Sequence, residues 1–333
     1  MKVSGGSVGV PVGGGAAWQA FLQRFDRAAA SNASLLICGE HGVGRGFLAH
    51  RAHSQSPRSK GPRVELDLSE GSPSLMESLL FGHEQGAFTG AHRVRLGAVR
   101  RAEGGTLILR GIDELDRTLQ VKLLRLLQER VVEPLGSEMS VPVDVRVITT
   151  ASSTLPDRVS RGEFREDLYY RLAVVVLEVP PLRTRLEGMS QWVEPLIELA
   201  AQRVGRPYRP LSSEAVERLC DHSWPGNVRE LENALERTLV LGGKEADGRA
   251  IEAAELDFLP EAAIADEALR DLARQGLALG VPADRWEGAL LEQAIHDHRG
   301  RVAAAARALG LTRKAFEYRL QRFRSGQAEE DEG

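Results

Sequence analysis

Short apolar runs rich in branched side chains alternate along this chain with segments whose apolar residues recur three and four positions apart. The runs 34–38, 106–109, 145–150 and 174–179 predict buried strands, and Leu119, Leu123, Leu126 and Leu127 share one face of a predicted helix. Strands alternating with helices predict a parallel sheet covered on both faces, an α/β core over residues 17–182. The strand pattern stops after Pro180 and Pro181. Residues 183–260 read as helical, with apolar stripes at Leu196, Leu199 and Ala200 and then at Val228, Leu231, Leu235 and Leu239. Residues 261–284, rich in Ala and Asp, read as a linker with room for one helix. Residues 285–326 are helical again, and 327–333 form an acidic tail expected to be disordered. At the other end, residues 1–16 hold Gly, Val and Ser with almost no charge, which predicts a flexible lead-in and no sensor domain ahead of the core. No internal repeat is visible.

Charge and cysteine content narrow the picture. With 43 Lys+Arg against 47 Asp+Glu among 333 residues, the net charge is -4, so any nucleic-acid surface has to be a local basic patch. The two cysteines, Cys38 and Cys220, exclude a disulfide framework and a four-cysteine zinc site, and no metal ligand set is expected. The apolar runs fall far short of the ~20 residues of a membrane span, and the first fifteen positions lack a signal peptide's apolar centre. A cytoplasmic protein without a membrane partner is the expectation.

The first candidate chemistry follows the first strand. Gly39-Glu40-His41-Gly42-Val43-Gly44-Arg45-Gly46 is a glycine-rich turn between a buried strand and a helix, the setting in which backbone N–H groups and a helix N-terminus cradle phosphate. The usual phosphate loop ends in Gly-Lys-Ser/Thr, whereas this one ends in Gly44-Arg45-Gly46. A guanidinium aims its donors differently from an ammonium, and Gly46 supplies no hydroxyl for magnesium. On its own the loop fits either a nucleotide cradle or a plain glycine turn.

Further motifs carry a family resemblance. The run Phe81-Gly82-His83-Glu84-Gln85-Gly86-Ala87-Phe88-Thr89-Gly90-Ala91 resembles the AAA+ transcription activators that act on sigma-54 RNA polymerase, the bacterial enhancer-binding proteins, over residues 17–324. The resemblance implies a sigma-54 contact through Gly86, Ala87, Phe88, Thr89, Gly90 and Ala91. It also implies ATP as cofactor at Gly39, Gly42, Gly44, Arg45 and Gly46, with Arg229, in Trp224-Pro225-Gly226-Asn227-Val228-Arg229, facing phosphate from the helical lid. Within Gly162-Glu163-Phe164-Arg165-Glu166-Asp167-Leu168-Tyr169-Tyr170-Arg171, the arginines Arg165 and Arg171 inherit a trans-acting finger role, in a ring of like or related subunits.

The sequence departs from the family where hydrolysis is performed. In the family, the strand matching Thr106-Leu107-Ile108-Leu109 ends in an Asp-Glu pair that holds magnesium and activates water; here those places are Arg110 and Gly111. Asp113 and Glu114 follow three residues on, ~10 Å away if the chain stays extended. Asp67 and Ser152 stand where the family has nucleotide-sensing asparagines. The expectation is weak ATP binding, impaired hydrolysis and no magnesium site, with two rivals: an active ATPase using rewired acidic residues, and a DNA-bound accessory that does no work.

At the C-terminus, three predicted helices end in one whose Phe316, Leu320 and Phe323 face inward, with Gly310 as the preceding turn and Thr312 as its cap. Arg313, Lys314, Tyr318 and Arg319 then lie on or near the outer face. With Arg299, Arg301, Arg307, Arg322 and Arg324 close by, this is the local basic patch the whole-chain charge lacks. The segment resembles the Fis-type helix-turn-helix end of the same family, which implies DNA as partner.

Overall fold

The computed structural model describes residues 11–257 and 283–323, apart from positions 70, 89–90, 92, 138, 244–245, 247, 299–301, 310, 312–315, 318 and 322. Compactness divides the chain into one unit of residues 1–208 with 224–239 and another of 209–223 with 240–333.

The first unit is built on a five-stranded parallel sheet of β1 (Leu35–Cys38), β2 (Arg63–Asp67), β5 (Thr106–Arg110), β8 (Arg146–Ala151) and β9 (Val175–Glu178) in the order β2-β5-β8-β1-β9. Two-residue strands form small hairpins, β3 (Gly82–His83) with β4 (Arg95–Leu96) and β6 (Val131–Val132) with β7 (Val141–Pro142). Successive side chains of the central strands enter opposite cores. Leu36 and Cys38, with Leu107, Leu109, Val147 and Ala151, pack on one face; Leu35 and Ile37, with Ile108 and Ile148, pack on the other. This burial on both sides is why these strands read as continuous apolar runs. β2 lies at the sheet's edge and alternates polar with apolar residues, and the sequence pattern passed over it.

Helix α1 (Ala16–Ala29) buries Trp18, Phe21, Phe25, Ala28 and Ala29 against one face of the sheet, with α2 (Arg45–Ser54) beside it. The predicted leucine helix runs Arg117–Glu129, starts at Asp116, which accepts the Thr118 N–H at 2.9 Å, and covers the other face. The C-terminal ends of α1 and α2 meet at Arg146. This arginine is 2% exposed and donates to the carbonyls of Ala28, Ala29, Ala33 and Ala52 at 3.1–3.2 Å. Carbonyls left over at helix ends are thereby satisfied by a cation, which the helix dipoles also favour. Burial pulls the Arg146 pKa down to about 10.

Residues 11–15, within the segment expected to be a flexible lead-in, are hydrogen-bonded to the core. Gly14 N–H donates to the Arg185 carbonyl at 2.8 Å, and the buried Arg185 guanidinium donates to Val12 O at 2.8 Å while lying 4.1 Å over the Trp18 ring. Ordering comes from a single buried cation that needs acceptors, which composition cannot reveal.

In the second unit, Arg209 is buried and donates to the carbonyls of Arg249 and Ala250 and to both oxygens of Glu255. Helix Ser213–Asp221 is capped by the Ser212 hydroxyl, which accepts from Ala215 N–H. Toward the C-terminus, helices Ala283–Asp297 and Val302–Ala308 and helical residues 316–317, 319–321 and 323 share a core of Leu291, Ala294, Ala305, Ala306, Phe316 and Leu320. Phe316 and Leu320 therefore face inward as expected, and Phe323 lies across Gly288, where a Cβ would meet its ring at 1.9 Å. The expected linker falls outside the described residues, except for 283–284, which belong to the helix, and so do the acidic tail and Gly310.

Candidate functional site

A cavity of about 910 Å³ opens at the C-terminal end of β1, where strand order reverses between β8 and β9. Open parallel sheets bind ligands at such a switch point. The glycine loop forms one wall. Gly42, at φ +77°, lies so close to Gly226 that a Cβ would meet its carbonyl oxygen at 2.1 Å, and Gly44, at φ +100°, is the left-handed residue from which α2 starts. Both positions need glycine.

Asn227 clamps the loop from the lid side. Fully buried at φ +55°, it donates through Nδ2 to the Glu40 carboxylate and the His41 carbonyl, each at 3.0 Å, and accepts the Leu182 N–H at 2.8 Å. Val228 N–H adds a bond to Gly42 O at 3.0 Å. Glu40 is also held by Arg183 at 2.6 Å, the chief reason its carboxyl stays below the usual range.

Gly42, Gly44, Arg45, Gly46 and Arg229 line the cavity together, whereas Gly39 lies buried beneath it. Among the described residues, neither Arg45 nor Arg229 makes a hydrogen bond or ion pair with the protein. Burial lowers the Arg45 pKa, Asp113 opposes that shift, and the charges of Arg110 and Arg229 add to it. The same surroundings act on Cys38, whose thiol burial pushes up to about 11.

The strand end beside Arg45 carries a charge network that sequence reasoning missed. Arg110 Nη2 meets Asp67 Oδ2 at 2.8 Å and its Nη1 meets Glu65 Oε1 at 3.2 Å, because β2 pairs with β5 in a register that puts Asp67 opposite Arg110. His50, from α2, holds the other Glu65 oxygen at 2.6 Å, and this bond leads the causes that lower the Glu65 pKa. The signal available was the alternation Glu65-Leu66-Asp67, which puts two carboxylates on one face of a strand.

Asp113 also departs from expectation. The chain leaves the extended conformation at Gly111, φ +67°, and turns through the 3-10 segment Ile112–Glu114, so the ~10 Å estimate for an extended chain does not apply. Asp113 instead lines the same cavity, its Oδ2 accepting the Ser152 hydroxyl at 2.6 Å and the Ser152 N–H at 3.2 Å. Glu114 points to Arg158 at 3.2 Å.

The remaining candidates lie away from the cavity. Arg165 is paired with Asp167 at 2.6 Å, and Arg171 Nε donates to Leu127 O at 3.4 Å. Phe88 is 45% exposed and stands edge-on to His83, whose Nδ1 is 2.7 Å from Ser78 Oγ. Gly86 N–H bonds Ala91 O, and Ala87 packs on Gly136. Thr89, Gly90, Thr312, Arg313, Lys314 and Tyr318 lie outside the described residues; Arg319 is exposed.

A parallel sheet of this order, a glycine loop at its switch point, a helical lid and a C-terminal helical domain define a P-loop protein of the AAA+ class. Residues 12–178 match the sigma-54 interaction domain, 183–268 the AAA+ ATPase lid domain, and 284–323 the bacterial regulatory protein, Fis family. The chain belongs to the sigma-54-dependent transcriptional regulators, with AAA+ and helix-turn-helix DNA-binding domains. It is 41% identical over 312 residues to the sigma-54-dependent transcriptional regulator SfnR of Pseudomonas fluorescens, covering 91% of this chain and 85% of that one. It is 39% identical over 312 residues to the transcriptional regulatory protein ZraR of Klebsiella oxytoca, covering 93% of this chain and 68% of the relative. The crystal structure of NtrX from Brucella abortus in complex with ATP superposes with a TM-score of 0.71 at 32% identity, over 94% of this chain and 69% of that chain. Among the described residues, no helix is long and apolar enough to cross a membrane.

Proposed function

We propose that this regulator holds a nucleotide in the cavity at β1 without turning it over, and acts on sigma-54 RNA polymerase from a DNA site as one subunit of a ring. Arg110 carries the reading. At the strand end where the family's chemistry needs a carboxylate pair stands a cation locked between Glu65 and Asp67, followed by Gly111. Losing one positioned catalytic group typically costs ~10²- to 10³-fold in rate, and here both carboxylates are absent.

The groups offered outward are kept. Phe88 is exposed on its hairpin, and Arg165 and Arg171 sit on a surface element away from the chain's own cavity. In a mixed ring, such arginines serve a neighbour whose own site hydrolyses ATP, a contribution worth ~10³- to 10⁵-fold in phosphoryl transfer. The test is ATP turnover by the full chain, alone and mixed with an intact relative. Background turnover alone, with stimulation of the relative that Arg165→Ala abolishes, is expected. Turnover alone above roughly one per minute that Asp113→Asn abolishes would favour the rewired enzyme, since Asp113 lies in the cavity.

A further inference from the structure

The family resemblance implies magnesium at the nucleotide, held by a hydroxyl just after the loop cation and by a carboxylate at the end of β5. The donors present do not fit that ion. Magnesium demands a near-octahedral shell of oxygens, yet position 46 is glycine and Arg110 offers only N–H donors and positive charge. The carboxylates nearby are already engaged. Asp67 uses one oxygen for Arg110 at 2.8 Å and the other for the Ser69 hydroxyl at 2.6 Å. Glu65 is shared between His50 and Arg110, and Asp113 takes the Ser152 hydroxyl.

Two cations in the same cavity lack such partners. Arg45 and Arg229 line it without a hydrogen bond or ion pair among the described residues, close enough for the Arg229 charge to act on Arg45. Arg45 is half-buried and Arg229 exposed; like charges this near repel, and a polyanion bridging them removes that cost. The guanidinium fork also suits phosphate oxygens.

We infer that the cavity takes a nucleoside polyphosphate as the metal-free anion, its phosphates met by the glycine-loop N–H groups, Arg45 and Arg229, and that magnesium competes with the protein for this ligand. The inference rests on the nucleotide-binding reading above. A magnesium complex of ATP presents less negative charge than free ATP, so the metal weakens binding here rather than completing it.

Titration calorimetry of the full chain with ATP, in EDTA and in excess magnesium, tests this, with inorganic tripolyphosphate as the probe for a bare polyphosphate. ATP binding about fivefold tighter in EDTA is expected, and Arg45→Gln lowers the EDTA affinity about tenfold. Gly46→Thr restores the hydroxyl, and its Cβ enters space with no atom within 4 Å, so the variant folds and its preference for EDTA shrinks. Equal or tighter binding with magnesium overturns the inference and leaves the nucleotide reading standing. Absence of ATP binding in both conditions, by protein whose circular dichroism shows it folded, overturns both. Tripolyphosphate binding as tightly as ATP removes the nucleoside from the assignment and overturns that part.

Discussion

Asn227 offers a quantitative test of how the lid motif fixes the phosphate loop. Asn227→Ala removes the acceptor of the Leu182 N–H and the donor to Glu40 and His41, all in a position with no exposed surface. An orphaned buried N–H costs about 1–3 kcal/mol, and each lost bond to the loop about 1 kcal/mol. Alanine also sits less easily than asparagine at φ +55°, adding up to about 1 kcal/mol. The sum is about 3–6 kcal/mol, a fall in Tm of roughly 6–24 °C for a unit of this size. Asn227→Gly loses the same hydrogen bonds but tolerates the left-handed backbone, so it should be less damaging than alanine by up to about 1 kcal/mol. Urea unfolding followed by tryptophan fluorescence reads both variants, because Trp224 is buried three residues away in the chain. An alanine variant within about 1 kcal/mol of wild type, or a glycine variant clearly worse than alanine, would refute the assignment of these bonds as the clamp.

Two further outcomes follow from charge and packing. Glu65 has its pKa lowered in the folded protein, chiefly by His50, so its contribution to stability is present above the ordinary carboxylate value near 4.5 and lost as pH falls through the lowered folded value. Stability measured across mild to strong acid should therefore fall less steeply in Glu65→Gln than in wild type, and an unchanged slope argues against the His50–Glu65–Arg110 network. In the C-terminal domain, Gly288→Ala drives a methyl into the Phe323 ring and should cost about 1–3 kcal/mol by overpacking. Its melting temperature and DNA affinity should drop together, while Gly288→Ala combined with Phe323→Leu recovers part of the loss; a silent Gly288→Ala would show that the helix faces are packed differently.

Much of the fold was legible because its determinants are local and periodic. β1, β5 and β8 are buried on both faces and wrote largely apolar runs, edge strand β9 wrote one although its Val176 is exposed, and the helix Arg117–Glu129 wrote its leucines at helical spacing. The glycine loop, the Phe88 loop and the Trp224 motif were legible as strings, since each depends on neighbours in the chain. β2 was not, because at the sheet edge its residues alternate.

What the tertiary structure alone decided is which charges meet. Whether Arg110 is a free cation or a neutralised one depends on β2 lying beside β5, 45 residues from Glu65 in sequence. The place of Asp113 depends on a turn at Gly111 that an extended-chain estimate cannot contain. Arg146 and Arg185, two buried cations, are tolerable only where carbonyls up to 118 and 173 residues distant converge on them. A sequence pattern records whether a side chain prefers water or oil at a given spacing. Electrostatic pairing acts through space, over a few ångströms set by the packing of elements, and leaves no period to read.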